Sequence, residues 1–176
     1  MRTILAISLS VLLMTGNAIT AETGDIQESI TTAIAEVTES VAPSYVININ
    51  EDEAIALAKM AWGEARGLSD MEIAATMWCV LNRADNWDMS VIEVVTAPSQ
   101  FHGYSQNHPV EDRIYDLAVD VLTRWQMEKQ GASPEEVGRV LPQEYMYFHG
   151  DGVANYFRDS YRNGTTWDWS YPNPYE

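Results

Sequence analysis

Between residues 51 and 83 apolar positions recur with the period of an α-helix, twice over. Ala54, Leu57, Ala58 and Ala61 form one stripe, which Asn50 or Asp52 can cap at its start. Gly67, just past Arg66, stands where a helix stops. Ser69 then begins a second helix, and Glu72 three residues on fits a capping box. Ile73, Ala74, Met77, Val80 and Leu81 make its core face. Upstream, Ile26, Ile30, Ile34, Val37 and Val41 keep helical spacing within a Thr-, Ser- and Glu-rich stretch. Residues 22–50 therefore read as a linker or a single amphipathic helix ended by Pro43, with Tyr45–Ile49 as a short strand.

Downstream, Ser90 and Glu93 predict another capping box and a short helix stopped at Pro98. A polar loop, 99–108, follows. Pro109 predicts the start of a long helix to Gln130, with Ile114, Leu117, Ala118, Val121, Leu122 and Trp125 buried. Gly131 ends it, and Ser133-Pro134-Glu135-Glu136 predicts a further short helix. The period then changes. Residues 144–149 and 153–158 are aromatic-rich runs separated by Gly150-Asp151-Gly152, the signature of a β-hairpin. The class this predicts is α+β, mainly helical, with one domain over 51–176 and a small C-terminal hairpin.

One position breaks the apolar pattern. Glu64 lies seven residues after Leu57, about 700° around a helix of ~3.6 residues per turn, so it shares the apolar face. It also lies in the last turn, where the helix dipole is negative. Both placements disfavour the charged form, as a general acid requires. In the loop, Gln100, Phe101 and Tyr104 combine an amide with aromatic faces, which suits a sugar cleft. The other reading of this loop is a polar connection plugged by Phe101. Asp70, Asp151 and Asp159 are candidates for a second carboxyl, each in or beside a turn where Asp serves structure.

Composition narrows the partners. The 176 residues carry a net charge of −16. Arg2 is followed by the apolar run Ile4–Met14 and then by small residues to Ala21, which reads as a signal peptide over 1–21, cut after Ala18 or Ala21. That run is short for a stable membrane anchor. Its removal takes one base and no acid, leaving 9 basic against 26 acidic residues, or −17. Nucleic acid and anionic membrane surfaces, which need basic patches, are not expected partners. The expected location is outside the cytoplasm. Cys79 is the lone cysteine. It lies in the packed run Met77–Leu81, so a buried, inert thiol is expected.

The ordered set Ala61-Trp62-Gly63-Glu64-Ala65-Arg66-Gly67, Ala74-Ala75, Asn82-Arg83 and Ser99-Gln100-Phe101 resembles the SleB-type cell-wall hydrolase family, over about residues 52–160. The resemblance implies a lysozyme-like domain that cleaves peptidoglycan glycan strands, with Glu64 as the catalytic acid and no cofactor or metal. It also implies a hairpin near the cleft, giving Tyr147, Asn155 and Tyr156 as substrate-binding residues beside Gln100, Phe101 and Tyr104. Leu68, where relatives often carry a second acid, and residues 102–107 depart from the family pattern. With one strong carboxyl, a lytic transglycosylase mechanism is expected over hydrolysis. Two other classes stand beside it. One is a non-catalytic peptidoglycan-binding protein on the same fold. The other is a metal-dependent amidase using His102, His108 and His149, which lack a familiar ligand spacing.

Overall fold

The structure, a computed structural model, describes residues 44–176. The predicted leader at 1–21 and the helical pattern at 26–41 lie outside the described residues. Four helices come first: α1 (Glu51–Ala65), α2 (Asp70–Trp87), α3 (Val91–Thr96) and α4 (Asp112–Lys129). An antiparallel hairpin follows, β1 (Tyr147–Gly150) and β2 (Asn155–Arg158). The described part is thus mainly helical with one small sheet. None of its helices is long and apolar enough to cross a membrane.

The helix ends follow the local chemistry. Asn50 caps α1, accepting from the Asp52 N–H at 3.0 Å. Ser69 caps α2, and Ser90 with Glu93 makes a complete capping box on α3. The start of α4 is later than Pro109 predicts. Its cap is Glu111, with extended backbone and no side-chain bond; residues 109–111 precede the helix, following a turn closed by the His108 N–H on the Ser105 carbonyl. The helix predicted after Ser133 is a run of turns ending at Gly138, whose φ of +59° stops propagation.

The second helix is the centre of the fold. Every residue from Ile73 to Ala84 is buried, so α2 is enclosed all round rather than amphipathic. Trp78, Met77, Leu81 and Ile73 are among the largest fully buried side chains. Leu57 and Met60 of α1, Val91 and Val94 of α3, and Ile114 and Val121 of α4 close around them. Burying each such side chain contributes roughly 1.5–3 kcal/mol.

Two polar residues on α2 organise the chain after α4. Asn82 donates to the carbonyls of Pro142 and Tyr145, at 2.8 and 2.9 Å. Arg83 donates from Nε to the Met146 carbonyl at 2.6 Å. Those carbonyls are therefore unavailable to a strand ladder, which is why β1 begins at Tyr147 and not at Glu144. Arg139 adds a buried link: it pairs with Glu128 of α4, bonds Asn82 and Leu141, and lies 4.1 Å over the Trp78 ring.

Unlike the expectation for 45–49, the segment before α1 belongs to no strand among the described residues. Its partners are two side-chain amides. Gln130 receives the Val46 N–H and donates to the Val46 carbonyl, both at 2.9 Å. Gln126 does the same for Asn48, at 2.8 and 2.7 Å. The C-terminal tail lies against the hairpin, where Trp167 N–H donates to Phe157 and its indole donates to the Val140 carbonyl.

Arg139→Ala should lower stability by about 3 kcal/mol, because it removes the charge partner of the mostly buried Glu128 carboxylate, leaving it only the Gln143 bond, and unpairs the Asn82 carbonyl. Urea unfolding followed by far-UV circular dichroism measures this. Cys79 is fully buried, and burial pushes its thiol up to about 11 against the opposing pull of Arg83. Iodoacetamide at pH 8 should label it in urea and leave it unmodified in the native protein, as mass spectrometry will show.

Candidate functional site

Glu64 is the next-to-last residue of α1. Its surroundings are set by a close approach of two backbones. Gly63 lies inside the helix, where glycine costs about 1 kcal/mol relative to alanine. A methyl group there would run into the carbonyl oxygen of Gly103. The reverse also holds: a Cβ on Gly103 would stand 2.6 Å from the Gly63 carbonyl carbon and 2.9 Å from Cδ of Glu64. Only glycine at both positions lets the 99–108 loop press against the helix beside the carboxyl. The Gly103 N–H then donates to Glu64 Oε1 at 2.6 Å.

Further contacts hold the loop along α1. Lys59 Nζ donates to the Gln106 carbonyl at 2.8 Å, and His108 Nδ1 lies 3.2 Å from the Lys59 carbonyl. The His108 ring packs on Trp62, with centroids 4.5 Å apart, and Arg66 covers that indole at 4.3 Å.

Glu64 opens into a cleft of about 460 Å³, the size of a small-ligand site. One wall is the end of α1 and the bend after it, Gly63 to Leu68; the other is the hairpin, Gly150 and Gly152 to Asn155. Among the described residues that line it, Glu64 is the sole carboxyl. The candidates for a second acid are engaged elsewhere. Asp70 pairs with Arg113. Asp159 accepts from the Thr165 N–H at 3.0 Å. Asp151 accepts from the N–H groups of Val153 and Ala154 and from the Tyr156 hydroxyl, and those backbone bonds hold its carboxyl below the ordinary range.

The six residues read as substrate-binding separate. Asn155 lines the Glu64 cleft. It is buried, donates to Thr76 at 3.3 Å, and lies over Gly150, its cross-strand partner, where a Cβ would stand 2.8 Å from its Oδ1. Gln100 and Tyr147 line a second cavity and border Arg83; Gln100 Oε1 accepts from Arg83 Nη1 at 3.0 Å. Phe101 is 6 % exposed, with its ring 4.5 Å beneath the Arg83 guanidinium. It is a core plug, and the expected stacking of its face on a sugar is corrected accordingly. Tyr104 is half-buried against the core and lines neither cavity. Tyr156 is on the outer hairpin face, stacked on His149 at 5.1 Å and bonded to Asp151.

The three histidines do not converge, and among the described residues no three His, Cys, Asp or Glu form a metal-sized cluster. His108 serves the Trp62 contact, while His102 and His149 line the second cavity. The pattern reading missed Gly63 and Gly103. The available signal was a glycine inside a helical pattern that needs none. Scans against protein-family models, curated proteins and solved structures each returned no match.

Gly63→Ala should force the loop off α1 and destabilise the fold by about 1–3 kcal/mol, the range for inserting a methyl into a packed contact. Gly67→Ala is the control, since nothing lies within 4 Å of a Cβ there. Thermal unfolding of the two variants should separate them, and the Gly103 amide signal should move only in Gly63→Ala.

Proposed function

We propose that this chain cleaves glycosidic bonds in peptidoglycan glycan strands, on a lysozyme-like domain, with Glu64 as general acid and base. The observation that carries the reading is the isolation of Glu64: at a helix end, it is the one carboxyl among the described residues lining an open cleft walled by the hairpin. The motif set Glu64-Ala65-Arg66-Gly67, Asn82-Arg83 and Gln100-Phe101 is the source of the substrate class. With the leader read at residues 1–21, the enzyme acts on the wall after export.

Glycoside cleavage by two carboxyls requires a partner within about 5–9.5 Å across the bond. The cleft lining supplies none, which favours the one-carboxyl route. Protonated Glu64 gives its proton to the glycosidic oxygen, and the C1–O bond breaks. The 6-hydroxyl of the same sugar attacks C1 and closes a 1,6-anhydro ring. Its proton passes to Glu64, which is reset with no water consumed. The Gly103 N–H fixes Oε1 and orients the carboxyl, so the proton transfer falls to Oε2. Asn155, its amide braced by Thr76, faces the same cleft and is placed to bond a hydroxyl or acetamido group.

Glu64→Gln keeps the shape and loses the proton. It should fold normally, bind strands and cleave them ~10²–10⁴-fold more slowly, since general acid catalysis is worth that range. Mass spectrometry of digested peptidoglycan reads both rate and product: 1,6-anhydro ends support the one-carboxyl route, and reducing ends point to hydrolysis. Wild-type protein that binds purified strands and cleaves none would replace this reading with a glycan-binding protein.

A further inference from the structure

The second cavity, about 510 Å³, differs in character from the first. Its lining includes Arg83, Arg158, His102 and His149, with the aromatic rings of Trp87 and Tyr161, and contains no Asp or Glu. In a chain with 26 acidic and 10 basic residues, a cavity lined by two arginines and no acid runs against the composition.

Among the described residues, neither guanidinium group has a compensating charge. Arg83 is 5 % exposed, yet its hydrogen bonds go to the neutral oxygens of Met146 and Gln100, and its faces are covered by the rings of Phe101, Trp87 and Tyr147. Nε of Arg158 is buried without any hydrogen-bond partner. Neither residue belongs to an ion pair among the described residues. A buried charge without a counter-charge is costly, and the cost is relieved when an anion enters. Guanidinium groups are suited to carboxylates, which they bond in a fork.

Two neighbouring pairs in the chain link this cavity to the Glu64 cleft. His102 lines it, and the next residue, Gly103, bonds Glu64. His149 lines it, and the next residue, Gly150, lines the cleft. Alternation along the hairpin separates His149 and Arg158 from Asn155, although Phe148 of the inward face also borders the second cavity. Tyr147, His149 and Arg158 point to the outer face, while Phe157 and Asn155 point inward.

We propose that this cavity is a carboxylate-binding subsite, which takes a free carboxylate of the peptide stem borne by the strand at Glu64. The choice of stem rests on the glycan reading; the affinity for a carboxylate rests on Arg83 and Arg158 alone. Arg83 is fixed by its own bonds and forms the floor. Arg158, at the end of β2 and in no ion pair among the described residues, supplies the second guanidinium.

The test is titration of the ¹⁵N-labelled chain with an isolated stem tetrapeptide and with its methyl ester, which is neutral at the same carboxyls. The indole signal of Trp87, assigned with Trp87→Phe, reports on the cavity. The acid should move it and the ester should not. Arg158→Gln should weaken acid binding about tenfold to a hundredfold, the worth of a hydrogen bond to a charged group, and Arg158→Lys should recover part of it. A Trp87 signal unmoved by the acid, or moved equally by acid and ester, overturns the subsite, whatever the fate of strand cleavage. Equal acid affinity in wild type and a folded Arg158→Gln overturns it too. Arg158-dependent binding of the acid together with uncleaved strands supports the subsite and removes the glycosidase reading instead.

Discussion

The hairpin is placed by side chains, not by a sheet. Two strands of four residues bury too little to stand alone in water. What fixes them is the set of carbonyls at 142, 145 and 146, held by Asn82 and Arg83 from the most buried helix of the protein. Those bonds leave the carbonyls satisfied inside the core, where an unpaired one would cost about 1–3 kcal/mol. They also set the height at which β1 starts, and with it the position of Gly150 and Asn155 opposite Glu64. Arg139 stiffens the arrangement from behind by tying Asn82 to α4 and stacking on Trp78.

A second constraint acts from the other side of the cleft. The missing Cβ atoms of Gly63 and Gly103 allow a loop backbone to reach a helix backbone at the carboxyl itself. One wall of the cleft is thus fixed by the absence of side chains, and the other by buried polar ones. Between them the carboxyl has one oxygen anchored to a main-chain donor and stands apart from Asp70, Asp151 and Asp159, each committed to a local bond.

The helices were legible because they depend on nearest neighbours. Ser69, Ser90, Asn50 and the apolar stripes act within a turn or two of their own positions, and the predicted boundaries of α1 and α3 are met within a few residues. The hairpin's existence was legible from its Gly-Asp-Gly turn, but its length was not, because the carbonyls it loses at 145 and 146 go to a helix 63 residues earlier in the chain. Pro109 misled because the loop before it docks on α1 and the helix begins only after Glu111. At the site, Glu64 stood out as a charge on an apolar stripe. Phe101 and Arg83 did not reveal their union, since a ring under a guanidinium leaves no periodic trace. The Tyr45–Ile49 stretch has the composition of a strand, but its partners, Gln126 of α4 and Gln130 at its C-cap, lie beyond any pattern.

Those glutamines have a mechanical consequence. Each amide both gives and receives a bond, so four bonds in a row grip the backbone at Val46 and Asn48, just before α1 begins. Tension applied through the preceding segment is borne in shear by this clamp and passed into α4. The helix that ends in Glu64 lies downstream of the grip, so a pull on the chain's leading end leaves the geometry of the cleft unloaded until the clamp gives way.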